Sequence, residues 1–153
     1  MHCIKWSVVV GCAVLAACAS RHEGAPSGKP PVIAEPAVRL PAPARLRSMK
    51  EVQVQAALRL VEANPNGTYD TDPPDELLAI PVLEIELNGN GSVRRITVLR
   101  YPGQAPETTQ MAIDAVHRAA PFGDVSHLPK PWKFVEVFLF QEDLRFKPRT
   151  LDH

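Results

Sequence analysis

After Cys18 the chain contains no cysteine; Cys3, Cys12 and Cys18 are the only three. The folded part therefore has neither a disulfide nor a thiolate metal site. An excess of charge is also missing, because 17 Lys and Arg balance 17 Asp and Glu. That balance argues against a nucleic-acid partner, since phosphates need a clustered cationic surface. No apolar run reaches the roughly 20 residues that span a bilayer. The sequence also lacks H-E-x-x-H, G-x-S-x-G and any nucleotide-binding loop. Of its histidines, His2, His22 and His153 fall near the ends, leaving His117 and His127. His117 follows Asp114 by three residues on the polar side of a predicted helix, which reads as a surface ion pair. Asp70, Asp72, Asp75 and Glu76 cluster without the glycine and terminal glutamate of an EF-hand, so they form a solvated acidic loop. No catalytic set, cofactor or metal is expected.

What is present begins with an address. Lys5 precedes an apolar run, residues 8–17, of the length of a signal-peptide core. Leu15-Ala16-Ala17-Cys18 matches the lipobox of bacterial lipoproteins, with cleavage between Ala17 and Cys18 and acylation of the Cys18 sulfur. The competing reading is an ordinary secretory signal with a chance cysteine. Val9-Val10-Gly11-Cys12 fits the pattern loosely but leaves too short an apolar core. Two or three acyl chains anchor a protein stably where one does not. Ala19, where an aspartate would retain the protein at the inner membrane, points to an outer-membrane lipoprotein facing the periplasm. Residues 18–47 are rich in proline and alanine (Pro26, Pro30, Pro31, Pro36, Pro41 and Pro43 among them), which forbids a regular helix. They read as an extended tether, rising roughly 3 Å per residue.

The domain is expected over residues 48–146, with a flexible tail at 147–153. Ser48-Met49-Lys50-Glu51 is a capping box. Val54, Ala57, Leu58 and Val61 recur at helical spacing and predict the core face of a first helix. The alternation Val52-Gln53-Val54-Gln55 leaves a strand as the alternative. Asn64-Pro65-Asn66-Gly67 stops the element, and 69–81 is loop. Leu83, Ile85 and Leu87 alternate with Glu84 and Glu86, so 82–87 is a half-buried strand. Asn88-Gly89-Asn90-Gly91 turns it into a second strand, 93–100, with Ile96 and Val98 inward. Arg95 and Arg100 are expected opposite Glu84 and Glu86. Pro106 opens a second helix whose core side is Ala112, Ala115, Val116 and Ala119. Phe134 to Phe140 is the last strand. The fold class is α+β, in the order α-β-β-α-β, with an antiparallel sheet of two or three strands. Val116, Ile85, Val98 and Val137 are expected in one core.

Three segments together resemble the TonB/TolA C-terminal domain family. They are Gly91-Ser92-Val93-Arg94-Arg95-Ile96-Thr97-Val98, then Ala112 through Phe122 reading A-x-x-A-V-x-x-A-x-P-F, then 134–140. The resemblance covers about sixty residues. It implies the α+β fold and a habit of adding a partner's strand to the edge of the sheet. It also implies a relation to transport across the envelope, although this chain carries a lipobox where TonB proteins carry a transmembrane helix.

On that resemblance the last strand is the binding edge. Val135, Glu136, Val137, Phe138 and Leu139 are the candidate partner-binding residues, and Lys133, Glu136 and Arg145 the candidate rim charges. The alternative is that both faces of this strand are core and the C-terminal tail covers its edge. The expected function is a lipid-anchored periplasmic protein-binding module with an envelope partner, or a structural or assembly lipoprotein of the outer membrane. A homodimer is compatible with either. The lipobox makes one sharp prediction: metabolic labelling with a palmitate analogue marks the wild type and not Cys18→Ser, and equal labelling of both would refute it.

Overall fold

The computed structural model describes residues 40–152. Signal, lipobox and most of the tether lie outside them, as does His153. Helix α1 spans Met49–Ala63. Its cap follows the expected chemistry: the Ser48 hydroxyl accepts the Glu51 N–H at 3.2 Å. Glu51 reaches back one residue further than a capping box requires, accepting from the Arg47 N–H at 2.9 Å. Asn64 closes the helix by donating its side-chain amide to the Leu60 carbonyl at 2.7 Å.

The buried face of α1 differs from the expected one. Val52, Ala56, Leu60 and Ala63 face inward, whereas Val54 is 41% and Leu58 55% exposed. Ala57 alone of the expected stripe is buried, and Val61 is half-buried. The helix carries two interleaved apolar stripes that satisfy the same spacing. The stripe richer in alanine wins because α1 packs against α2, and small side chains allow close approach.

Strands β1 (Val82–Leu87) and β2 (Val93–Arg100) form the hairpin, α2 covers Glu107–Ala119, and β3 covers Lys133–Phe140. A fourth strand, β4 (Phe146–Pro148), and a 3-10 turn at Arg149–Leu151 follow. The sheet is antiparallel throughout, in the order β2-β1-β3-β4. The expectation of two or three strands and a fraying tail from Lys147 is therefore corrected. Three residues are too few to show a period, and β4 forms through tertiary contact: Phe146 packs against Phe138 and Phe140 at centroid distances of 5.1 and 5.4 Å.

The core lies between one face of the sheet and the two helices. Leu83, Ile85 and Leu87 enter it from β1, Ala112, Ala115, Val116 and Ala119 from α2, and Phe134, Phe138 and Phe140 from β3. Val98 packs at its margin. Val137 is on the opposite face: it pairs with Val82, while Leu83, on the core side, pairs with Glu136. Arg95 pairs with Glu86 as expected, but Arg100 stands opposite Val82, and Glu84 forms its ion pair with Lys133 at 2.9 Å.

The helices are also joined by polar contacts. Buried Arg59 donates to the Ala119 carbonyl at 3.1 Å and to the Pro41 carbonyl at 2.7 Å. Asn64 takes a 2.7 Å bond from Arg118 Nε on its side-chain oxygen. The Ala119 acceptor belongs to the last turn of α2, whose carbonyls have no partner within the helix. Burial pushes the Arg59 guanidinium down from its ordinary pKa, against the nearby Glu62 charge.

The β1–β2 turn fixes the remaining geometry. Asn88 N–H donates to the Ser92 carbonyl and Gly91 N–H to the Asn88 carbonyl, both at 2.9 Å. Gly91 has φ +79, in the left-handed region. Its carbonyl accepts from Phe122 N–H at 2.8 Å, and the Gly89 carbonyl accepts from Val125 N–H at 2.8 Å. A Cβ on Gly91 would lie 2.0 Å from the Gly123 oxygen and 2.5 Å from its nitrogen, both backbone atoms. Gly91→Ala therefore combines backbone strain with a clash that no rotamer relieves, and is expected to destabilise by about 2–4 kcal/mol. Gly103→Ala, where a Cβ meets nothing within 4 Å, is the control and stays within about 0.5 kcal/mol of wild type. Urea unfolding of the two variants measures both.

Candidate functional site

The expected binding strand, β3, has a neighbour on each side. Phe138 N–H donates to the Pro81 carbonyl and Phe140 N–H to the Ala79 carbonyl, so even-numbered peptide groups of β3 point towards β1. Odd-numbered groups point the other way, because peptide direction alternates along a strand. On that other side β4 pairs with Phe138, Leu139 and Phe140. Side chains meet what β4 leaves open. Gln53 Nε2 donates to the Val135 carbonyl at 2.8 Å, and Val137 N–H donates to Glu136 Oε1 at 3.2 Å. The same Glu136 oxygen accepts from Thr150 N–H at 3.1 Å, and Gln53 also reaches Thr150 Oγ1 at 3.1 Å. The C-terminal 3-10 turn is thus tied to the β3 edge.

Of the candidate partner-binding residues, Val135 is 38% exposed and Val137 half-buried, while Glu136, Phe138 and Leu139 are buried. The rim charges are also differently disposed. Lys133 pairs with Glu84 and Arg145 with Asp143 at 2.6 Å. Glu136 is not a rim charge. It lies on the core face with Oε2 unpartnered. Burial pushes its carboxyl above the usual range, against the bonds from Thr150 and Val137 that pull it down.

Side-chain parity explains the burial. Either Phe134, Glu136, Phe138 and Phe140 face the core, or Val135, Val137 and Leu139 do. Three phenylalanines bury far more apolar surface than two valines and a leucine, and they carry Glu136 inward with them.

The opposite edge of the sheet is different in kind. Among the described residues no strand lies beyond β2. The residues Arg94, Arg95, Thr97, Leu99 and Arg100 are exposed along it. Pairing with β1 skips Arg94 and Leu99, so β2 carries an extra residue at each end of a regular stretch, residues 95–98. Arg95 is bonded to Glu86.

A groove of about 670 Å³ runs along the outer side of α1, lined by Pro41, Ala44, Leu46, Val54, Leu58 and Glu62 among others. It exists because the second apolar stripe of α1 faces outward. The histidines form no site: His127 Nε2 lies 2.6 Å from the Leu46 carbonyl, and Asp114 bonds Gln110 at 2.8 Å rather than His117. Among the described residues no three His, Cys, Asp or Glu side chains gather in a metal-binding group, and no helix is long and apolar enough to cross a membrane. Comparison with protein-family models, with curated proteins and with solved structures finds no match.

The buried carboxyl yields a pH prediction. Because the folded-state pKa of Glu136 is raised, its contribution to stability is fully present below the unfolded value, about 4.3, and is lost as pH rises through the folded value. Glu136→Gln removes that slope. Stability of the wild type relative to Glu136→Gln should therefore fall as pH is raised from 4 towards neutrality, measured by urea unfolding at each pH. Parallel profiles would mean that the carboxyl titrates alike in the folded and unfolded chain.

Proposed function

We propose that this chain is a lipid-anchored, periplasmic protein-binding module of the bacterial cell envelope that takes an extended segment of an envelope protein onto an edge of its sheet. The observation that carries this reading is that the sheet is open. β2 has an eight-residue outer side with no neighbouring strand among the described residues, and an unpaired edge is a template for another chain's backbone. A second stretch supports the same chemistry. Along Val135–Val137 the peptide groups on the β4 side of β3 are met by the Gln53 and Glu136 side chains, where a strand would supply peptide groups. The lipobox at Leu15 to Cys18 and the proline-rich segment after it give the module its anchor and its reach. A relation to transport across the envelope rests on the TonB/TolA resemblance alone.

Proline scanning tests the reading edge by edge, because proline removes one donor and is tolerated only where that N–H leaves the ladder. Val135→Pro and Val137→Pro spare the β1–β3 ladder, and Val98→Pro spares the β1–β2 ladder. Glu136→Pro breaks a bond to β1 and serves as the unfolded control. The folded variants, checked by circular dichroism, are crosslinked in intact cells and their captured partners compared with wild type. Loss of capture in at least one is expected. Wild-type capture in all of them would mean that no edge of the sheet is the binding site.

A further inference from the structure

We infer that the outer edge of β2 receives a short, extended, anionic segment of a partner protein, with carboxylates near its two ends. This rests on the strand-addition reading and specifies its edge and its ligand. The direction of the peptide groups comes first. Asn88 N–H donates to Ser92, whereas Leu87 N–H donates to the Trp132 carbonyl that precedes β3. Even-numbered peptide groups of β1 therefore face β2, and odd-numbered ones face β3. Thr97 and Arg95, which pair with Glu84 and Glu86, turn their peptide groups to β1. Those of Ile96 and Val98 turn outward, available to a partner.

The length of the site follows from the two bulges. Only residues 95–98 form a regular stretch, about 13 Å at ~3.3 Å per residue, which suits a short segment and not a long strand. Its charge follows from what flanks that stretch. Arg94 and Arg100 stand exposed at its two ends, and neither has an ion-pair partner among the described residues. Leu99, 53% exposed, and Tyr101, 70% exposed, add apolar surface at one end.

These features exclude the simplest occupant, a second copy of the chain. Two β2 edges meeting antiparallel would bring two sets of arginines together, and like charges across a ladder repel. Bulges and edge charges are the devices by which sheets avoid such pairing. Positive charge that bars a second copy attracts a segment with carboxylates at the matching ends, so repulsion and attraction here serve one specificity.

The test uses the full chain purified in detergent and two synthetic peptides, Glu-Thr-Val-Thr-Val-Glu and its counterpart with lysine at both ends. The acidic peptide should shift the amide resonances of Ile96 and Val98, bind more weakly as salt rises, and bind about tenfold more weakly to the Arg94→Glu, Arg100→Glu double variant. The lysine peptide should prefer that variant. Both substitutions are at exposed positions, and circular dichroism confirms that the variant folds. Equal binding of the two peptides by the wild type, or no binding of the acidic one, overturns the inference. Amide shifts at Val135 and Val137 instead would overturn the β2 assignment while leaving strand addition intact. Strand addition itself falls only if the proline variants all retain capture.

Discussion

The contact on which the rest of this fold depends is the backbone approach between Gly91 and Gly123. No side chain fits there: the hairpin turn and the segment after α2 are held by two 2.8 Å backbone hydrogen bonds across a gap that a single methyl group would close. This fixes the end of α2 against the end of the hairpin, so that Val116, Ala119 and Phe122 meet Ile85 and Phe134 in one core. Phe122 and Phe134 lie edge to face at 5.7 Å as a result. A glycine at 91 with its positive φ and a proline-phenylalanine pair at 121–122 are thus two halves of one constraint. They are also the residues that carry the TonB/TolA resemblance.

Once that contact is made, β3 has to lie beside β1, and its parity becomes the second decision. The phenylalanines take the inner face and Glu136 is carried in with them. A buried carboxylate with one oxygen unpartnered costs stability, and the chain offsets part of that cost by directing the other oxygen at two N–H donors, those of Val137 and Thr150. The consequence is topological. Thr150 is held where a further strand would otherwise pair with β3, so the C-terminal segment closes most of the edge expected, on the family resemblance, to take a partner. The edge left without a neighbour is on the other side of the sheet, at β2.

The parts legible in the sequence are those governed by local rules. β1 and β2 begin and end where alternation and the turn residues put them, and Ala112, Ala115, Val116 and Ala119 form the buried side of α2 as their spacing requires. Choices between equivalent local patterns were not legible. Residues 52, 56, 60 and 63 of α1 fit a helical stripe as well as 54, 57, 58 and 61, and only the packing against α2 selects the first set. Val137 and Glu136 each belong to an acceptable strand face, and only the volume of three phenylalanines decides. β4 has three residues, one of them proline, and no local signal for a strand. The available signal is Phe146, the one Phe, Tyr or Trp among residues 141–153, which needs somewhere to be buried. Arg59 is legible only as a surface charge, because the two carbonyls that receive it come from α2 and from the segment before α1.

The two edges of the sheet also answer a problem that any open sheet faces. An exposed ladder invites pairing with whatever strand is nearest, including one from a second copy of the same chain. At β3 the chain solves this by covering the edge with its own C-terminal residues and with Gln53 and Glu136. Covering occupies the peptide groups, so a partner strand could pair there only by displacing Gln53 and Glu136. At β2 the solution is charge and irregularity: three exposed arginines and two extra residues leave Ile96 and Val98 with outward peptide groups but make self-pairing unfavourable. A charge-based defence discriminates where a covered edge cannot, since it turns away a like-charged strand and admits an oppositely charged one. On the function proposed here, β2 is for that reason the edge at which an envelope partner can be selected without the module first associating with itself.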